Sequence, residues 1–242
     1  MAESGQTLKS GRRAEQVEAG SRLNRRLALG GMVGTLSFLP VAFLIGESRD
    51  GYSHLAHRVS ALSQTGAPEP WAQTINFIVA GILVMGLAIG LRREMSEGRA
   101  ARIGPALIAA FGLAIFLNGV FPADPLQAPD TLAGTLHSTT AGLGFLGVIA
   151  AMFLLSGRFA EGEEWQHLAS LSRLAGVATI VLMVSYLMAQ EGAVAAWNPW
   201  TGLLQRGMVA VVMAWLFLLA LRLFQTSGRR GSEASKLQNR SF

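Results

Sequence analysis

The chain of 242 residues contains no cysteine. This absence excludes disulfide bonds, thiolate ligands for a metal, cysteine nucleophiles and covalent attachment of a c-type haem. Charged residues are also scarce: they make up 14% of the chain, whereas soluble domains carry about 25%. With 51% hydrophobic residues and a mean hydropathy of +0.39, the composition is typical of an integral membrane protein.

Six apolar segments are each long enough to cross a membrane as a helix, which takes about 20 residues. All six are too apolar around their whole circumference to be amphipathic surface helices. The first follows basic residues, but it is too long for a signal-peptide core and no small-x-small cleavage site follows it, so we interpret it as a retained helix. The segments are 27–46, 73–91, 103–121, 137–156, 171–190 and 203–224.

The sequence therefore predicts an all-α membrane protein whose transmembrane domain, residues 27–224, is a six-helix bundle. The flanking tails, residues 1–26 and 225–242, are basic and rich in charged and small polar residues. Segments of this composition bury too little apolar surface to fold alone, so we expect both tails to be disordered.

Lysine and arginine are distributed unequally between the two sides of the bundle. The tails and the loops around 92–102 and 157–170 hold 17 of them, whereas the other side holds only Arg49, Arg58 and Arg206. Because cytoplasmic segments carry the excess of basic residues, both termini are predicted to be cytoplasmic. The basic tails are expected to contact membrane lipids of negative charge. No nucleic-acid partner is expected, since the tails lack interleaved aromatic residues.

Polar side chains concentrate on the predicted outer side. His54, His57 and His137 lie there, and only His167 lies on the cytoplasmic side. Polar groups in a membrane span are costly and face the bundle interior or water. The outer half of the bundle is therefore predicted to contain a polar cavity.

The stretch GYSHLAHRVSALSQTG, residues 51–66, connects the first two spans. Its apolar side chains recur at spacings of three and four, which predicts a short amphipathic helix at about 52–63 on the outer membrane interface. Two interpretations stay open: the polar face meets water, or the helix folds over the bundle and covers the cavity. The apolar residues of this pattern are Tyr52, Leu55, Val59 and Leu62.

Three pairs of motifs resemble a known family. HRVSALSQTG before NFIVAGIL, GVFPADP before LHSTTAGLGFLG, and GLLQRG before the last span are similar to the bacterial membrane family called domain of unknown function 998. The resemblance covers about 36–224 and implies a six-helix, multi-pass protein of the bacterial cytoplasmic membrane, but no activity. The family has a proline where this chain has Arg58. The matching residues are His57, Ser60, Asn76, Asp124, Pro125, His137, Gln205 and Arg206.

Four of these residues are candidates for a functional site: His57, Asp124, His137 and Arg206. Each lies on the outer side, in a loop or near a helix end. Arg206 needs an anion if it is kept from water, and Asp124 needs a donor or a cation. Asp124 and Glu191 are the candidate partners of Arg206, and we predict that the four residues converge at the outer end of the bundle.

Three functions fit this pattern, and we favour the first. It is an accessory or assembly protein of the membrane, with other membrane-protein subunits as partners and the polar cluster as structural support. The second is a metal-assisted hydrolase of a lipid-like substrate, with zinc as cofactor bound by His57, Asp124 and His137, and with His54 as a substitute ligand. The third is a small permease or proton-coupled carrier, against which stands the absence of any mid-span charge.

Overall fold

The described part of the chain is built from helices, with no strand among the described residues. The computed structural model describes residues 2–95, 98–126 and 128–239, and the side chains among them from 15 to 233. Its long helices are α1 Ala2–Glu47, α2 Trp71–Glu94, α3 Arg99–Val120, α4 Leu132–Ala160, α5 His167–Gln190 and α6 Thr201–Asn239. Two short 3-10 helices, Val59–Ser63 and Ala195–Trp200, lie in the connections.

All six long helices contain a stretch that is long and apolar enough to cross a membrane. The prediction of six spans is therefore confirmed, and the helices begin and end within a few residues of the predicted bounds except at the two tails. By length and composition the chain is a multi-pass membrane protein. The side of the membrane on which the termini lie stays a prediction.

The helices form a closed ring in chain order. Each packs against the next one, and α6 returns to pack against α1. The interior is apolar: Val84, Leu87, Leu155, Trp215 and Leu216 are at most 2% exposed. Many large apolar side chains instead cover the outside of the helices, as expected for a protein whose solvent is lipid.

Glycines allow α2 and α3 to approach until their backbones touch. A Cβ atom on Gly81 would lie 2.6 Å from the carbonyl oxygen of Gly112 and 2.6 Å from the backbone nitrogen of Phe116. A Cβ on Gly119 would lie 2.9 Å from the carbonyl oxygen of Thr74. Close packing of this kind is a main source of helix association in membranes.

Helices α1 and α6 extend into the two flanking segments, and the disorder of the tails stays a prediction. The hydroxyl of Ser21 donates to the carbonyl oxygen of Ser227, and the Nδ2 of Asn24 donates to Glu94 at 3.2 Å. Because α1 and α6 are neighbours in the ring, these parts of the two helices pack against each other. Met1 and residues 240–242 lie outside the described residues.

Residues 48–70, which we call the strap, cross the end of the bundle where α1 ends and α2 begins. The prediction of one amphipathic helix over 52–63 is wrong in extent, since only Val59–Ser63 is helical, as a 3-10 turn. The Nδ1 of His57 accepts the N–H of Ser53 at 2.9 Å, and Arg58 is extended, with φ −63° and ψ 151°. This local turn and the extended residue after it end any longer helix.

Three of the four apolar residues of the predicted pattern nevertheless face the bundle, since Tyr52 is partly buried and packs against the core that contains Val59 and Leu62. Val59 is 2% exposed and Leu62 is fully buried, whereas Leu55 is 46% exposed. Farther along the strap, the N–H of Thr65 donates to the carbonyl oxygen of Ala123 at 3.0 Å. The strap is therefore fastened to the α3–α4 connection as well as to its own flanking helices. We call this end of the bundle the strap end and the opposite end the tail end.

Candidate functional site

Arg206, which lies in the second turn of α6, binds the turn at the middle of the strap. Its Nη1 donates to the carbonyl oxygens of His54 at 2.8 Å, His57 at 2.7 Å and Gly202 at 3.0 Å. Its Nη2 donates to the hydroxyl of Tyr52 at 2.6 Å. Hydrogen bonds to a charged group are about twice as strong as neutral ones, so this is a firm attachment.

The predicted carboxylate partner of Arg206 is wrong. Within the described part of the chain, neither Asp124 nor Glu191 forms an ion pair with it; Glu191 is exposed, and Asp124 is bound elsewhere. The reason is that a folded turn aims several carbonyl dipoles at one point, and these oxygens can satisfy a guanidinium group without a formal negative charge.

The start of α6 makes further contacts with the strap. The N–H of Leu203 donates to the carbonyl oxygen of Leu55 at 2.9 Å, and the Oε1 of Gln205 accepts the N–H of Val59 at 2.7 Å. Gly202 leaves the room for this approach, because a Cβ there would lie 2.8 Å from the carbonyl oxygen of His54. In the motif GLLQRG, Gly202 thus allows the close approach to the strap, Gln205 supplies an acceptor for it and Arg206 supplies a cation.

The sequence singles out Tyr52 only as an apolar residue of the predicted helix at 52–63, whereas in the structure its hydroxyl joins the two parts of this attachment. Its hydroxyl accepts from Arg206 and donates to the carbonyl oxygen of Arg58 at 2.9 Å. Burial raises the pKa of the Tyr52 phenol above its ordinary value, while the nearby charge of Arg206 opposes this shift. The phenol therefore keeps the proton that its bond to Arg58 requires.

Asp124 organises the start of α4. Its Oδ2 accepts the N–H of Thr131 at 2.7 Å, and its Oδ1 accepts the hydroxyl of Thr131 at 2.9 Å. Thr131 is the N-cap of α4 and accepts the N–H of Gly134 at 3.1 Å. A carboxylate in this position also interacts favourably with the positive end of the helix dipole, which lies at the N-terminus of α4. The backbone oxygen of Asp124 accepts from Arg58 of the strap at 3.1 Å.

His137, in the second turn of α4, is 5% exposed and ties this helix to the end of α3. Its Nδ1 lies 2.8 Å from the carbonyl oxygen of Phe121. A carbonyl oxygen can only accept, so this nitrogen carries the proton. The ring also meets the edge of Phe77, with 6.3 Å between the ring centroids.

The two histidines of the strap are engaged locally. His57 is exposed and accepts from the N–H of Ser53, as described above. The ring of His54 stacks on Phe43 with 4.4 Å between the centroids, and its Nε2 lies 3.1 Å from Glu47. Both side chains therefore brace the turn that receives Arg206.

The four predicted site residues thus share one end of the bundle but have separate partners. Arg206 binds the backbone of the turn that contains His57, whereas Asp124 and His137 hold the α3–α4 connection. Among the described residues, no three His, Asp or Glu side chains lie close enough together to hold a metal ion. The zinc set of His57, Asp124 and His137 is therefore not assembled, because each of these side chains is turned toward its own backbone partner. The substitute ligand His54 is turned toward Phe43 and Glu47.

A cavity of about 70 Å³ lies beneath the strap. A cavity needs about 10–15 Å³ in this measure to hold one water, so this one has room for water. Four phenylalanines dominate its walls, so it differs from the polar cavity that the sequence predicts. The phenylalanines are Phe38, Phe77, Phe111 and Phe145, and the polar lining residues are Ser60, Asn118, His137 and Gln205.

The family model described as a protein of unknown function, DUF998, matches residues 32–222. The chain belongs to this family. The resemblance of the three pairs of motifs is thereby confirmed, over nearly the same residues as expected. No curated protein and no solved structure matches the chain.

In this DUF998 protein, the three pairs of motifs lie in segments that contact one another at the strap end. The first pair lies in the strap and in α2, the second lies around the α3–α4 connection, and the third lies in α6, starting at its first turns. Arg58 stands where the pattern of the family has a proline. Its side chain joins the strap to the α3–α4 connection, because it donates to the backbone oxygen of Asp124. The φ angle of Arg58, −63°, is one that proline also adopts, so the backbone can have the same conformation with either residue at this position.

Proposed function

We propose that this DUF998 protein is a non-catalytic accessory or assembly protein of the bacterial cell membrane. In this proposal the polar residues at the strap end close and brace the bundle. The observation that supports it best is that His57, Asp124, His137 and Arg206 each bind the chain itself. Membrane lipids and other membrane-protein subunits are the partners in this proposal.

These attachments argue against catalysis by the same residues. A general base must reach its proton at about 2.6–3.2 Å, with an atom that is available to accept it. Both oxygens of Asp124 already accept from Thr131, and Arg206 is directed at the strap. Breaking one hydrogen bond to a charged group costs about 1.5–3 kcal/mol. A substrate that used these side chains would first have to break their hydrogen bonds to the chain.

The structural role is tested with variants that keep shape but remove the interaction, Asp124→Asn, His137→Gln and Arg206→Lys. We expect each to lower the melting temperature of the detergent-purified protein, with no stoichiometric zinc in any of them. Glu191→Gln is the matched control, because this carboxylate is exposed at the same end. One zinc per chain that is lost in His137→Ala would instead support a hydrolase of lipid-like substrates. Proton-driven uptake into proteoliposomes would support a carrier.

The assembly role needs a separate experiment in the cell. Membrane complexes of a deletion strain are compared with those of the parent by two-dimensional native electrophoresis. We expect at least one complex to be lost and to return with the wild-type chain. An unchanged set of complexes would overturn the assembly role, whatever the outcome at the strap end.

A further inference from the structure

A cavity of about 370 Å³ lies at the tail end of the bundle, between the ends of α2 and α4 and the extension of α6. Its volume is in the range of about 300–1,000 Å³ that is typical of small-ligand sites. One wall carries Trp165, whose ring stacks on Phe159 with 5.2 Å between centroids. The charged lining residues are Glu94, Arg158, Glu163, Glu164 and Arg230.

Glu94 brings a buried negative charge to this cavity. Its side chain is 3% exposed, and its Oε2 accepts from Asn24 at 3.2 Å. Among the described residues its Oε1 accepts no hydrogen bond, and its partner is the Nη1 of Arg230 in a long ion pair of 3.4 Å. The residue also ends α2, where the negative end of the helix dipole opposes a carboxylate. A buried carboxylate oxygen in such a place favours a donor that carries positive charge.

Arg230 brings a loosely held positive charge. Its Nη1 lies 3.4 Å from Glu94 and its Nη2 lies 3.9 Å from Glu164. Both distances exceed the length of about 2.7–2.9 Å that is typical of charge-assisted hydrogen bonds. A guanidinium group that is half exposed and has its donors pointing at distant carboxylates can still bind a phosphate.

We propose that this cavity binds a zwitterion that joins a primary ammonium group to a phosphate, which is the chemistry of phosphoethanolamine. The N–H donors of the ammonium would satisfy Glu94, and the phosphate would bind Arg230. The lining mixes two guanidinium groups with three carboxylates, which suits a ligand of both charges better than a simple anion or a simple cation. Among the described residues no three acidic groups are arranged for a metal ion.

The same chemistry comes from two sources, a phosphatidylethanolamine headgroup or a soluble phosphoethanolamine. The position at the helix ends, with a tryptophan in the wall, suits a lipid headgroup at the membrane interface. This inference involves the tail end alone, so it does not depend on the role proposed for the strap end.

The test is native mass spectrometry of the detergent-purified full chain, titrated with lipids of identical acyl chains. Phosphatidylcholine keeps both charges but lacks N–H donors, and phosphatidylglycerol lacks the ammonium group. We expect phosphatidylethanolamine to bind about tenfold more tightly than either one. Glu94→Gln and Arg230→Gln should remove this preference. Arg229→Gln, one residue away and lining a different surface depression, should keep it.

Equal binding of the three lipids to the wild type would overturn the proposal, as would a preference that Glu94→Gln and Arg230→Gln leave unchanged. If Glu94→Gln does not fold, Glu164→Gln tests the same negative wall from the surface. Soluble phosphoethanolamine is added in a thermal-shift arm: stabilisation equal to that by the lipid assigns the site to the soluble source. Arg206→Lys at the strap end should leave the lipid preference intact, which separates this test from that of the proposed function.

Discussion

The hydroxyl of Tyr52 lies 2.6 Å from the Nη2 of Arg206, although 154 residues separate the two in the sequence. The centre of the guanidinium group also lies 5.7 Å from the centroid of the Tyr52 ring. Through this pair the last helix of the ring holds the connection between the first two helices. The strap is therefore held by a residue of α6 that lies far from it in the sequence.

Removing the guanidinium group of Arg206 should be costly, because the carbonyl groups of His54 and His57 lose a charged donor. We expect Arg206→Ala to lower the free energy of unfolding by about 3 kcal/mol and Tyr52→Phe by about 1 kcal/mol. The double variant should lose less than the sum, because the two side chains share one interaction. Unfolding in detergent by a denaturant titration measures all three variants.

The same cycle with Asp124 is the control. The sequence predicts coupling between Arg206 and Asp124, but the structure gives them different partners. Arg206→Ala and Asp124→Ala should therefore add within about 0.5 kcal/mol. Coupling of Arg206 to Asp124 but not to Tyr52 would contradict the arrangement described here.

The cap of α4 should respond to loss of either member of the Asp124–Thr131 pair. We expect Thr131→Ala to lower stability by about 1 kcal/mol, since it removes the acceptor for the N–H of Gly134. Asp124→Asn should cost a similar amount, because the amide replaces one acceptor oxygen. The exposed Asp130 provides the matched change, and Asp130→Asn should leave the melting temperature where it is.

The contact between α2 and α3 should not tolerate a methyl group. Gly81→Ala places a Cβ 2.6 Å from two backbone atoms, which cannot move as a flexible side chain can. We expect a loss of about 1–3 kcal/mol, as for other overpacked interiors. Gly142→Ala adds the same methyl group where nothing lies within 4 Å, so it should be neutral or slightly stabilising. Equal melting temperatures for the two variants would contradict the close approach.

Alkaline pH should weaken the strap end through Tyr52. Its pKa is raised in the folded state by burial, so the folded chain keeps a proton that the unfolded chain releases. The contribution is complete below the ordinary tyrosine pKa of about 10 and declines as the pH rises through the folded value. The stability of the wild type should fall more steeply above about pH 10 than that of Tyr52→Phe. Parallel stability profiles for the two proteins would show that the phenol is already deprotonated or lies in water.

The orientation can be measured directly, because the chain has no cysteine of its own. A thiol at Gln127, which lies outside the described residues, should react with an impermeant reagent added outside the cell. A thiol at Gly98 should react only after the membrane is opened. This outcome follows from the excess of basic residues at the tail end. The reverse pattern would place the strap in the cytoplasm.

The six spans could be predicted because a membrane imposes length and apolarity on each helix separately. The positions of Val59 and Leu62 in the interior also follow from local spacing alone. What spacing does not contain is the partner of Arg206. Acidic residues can be identified in a sequence as candidate partners of an arginine. The carbonyl oxygens that bind Arg206 cannot, because they come together only after the turn at His54–His57 has formed.

The tails show the same limit for a different reason. Residues near Ser21 are polar, and no local pattern in the sequence indicates that Ser227 will lie beside them. Likewise, Arg230 lies in the predicted C-terminal tail, and no local pattern indicates that it will lie beside Glu94. Their meeting depends on the closure of the ring, which is a property of the whole chain.

Closure of the ring also makes the order of the helices cyclic. Because α1 and α6 are adjacent, the two ends of the transmembrane domain leave the bundle side by side at the tail end. A short linker could join them, and new ends could be opened between α4 and α5 at the same end, so that a circularly permuted chain would keep every helix neighbour and every membrane crossing. In such a chain Arg206 would precede Tyr52, and the contact between them would then lie within a few helices of continuous sequence.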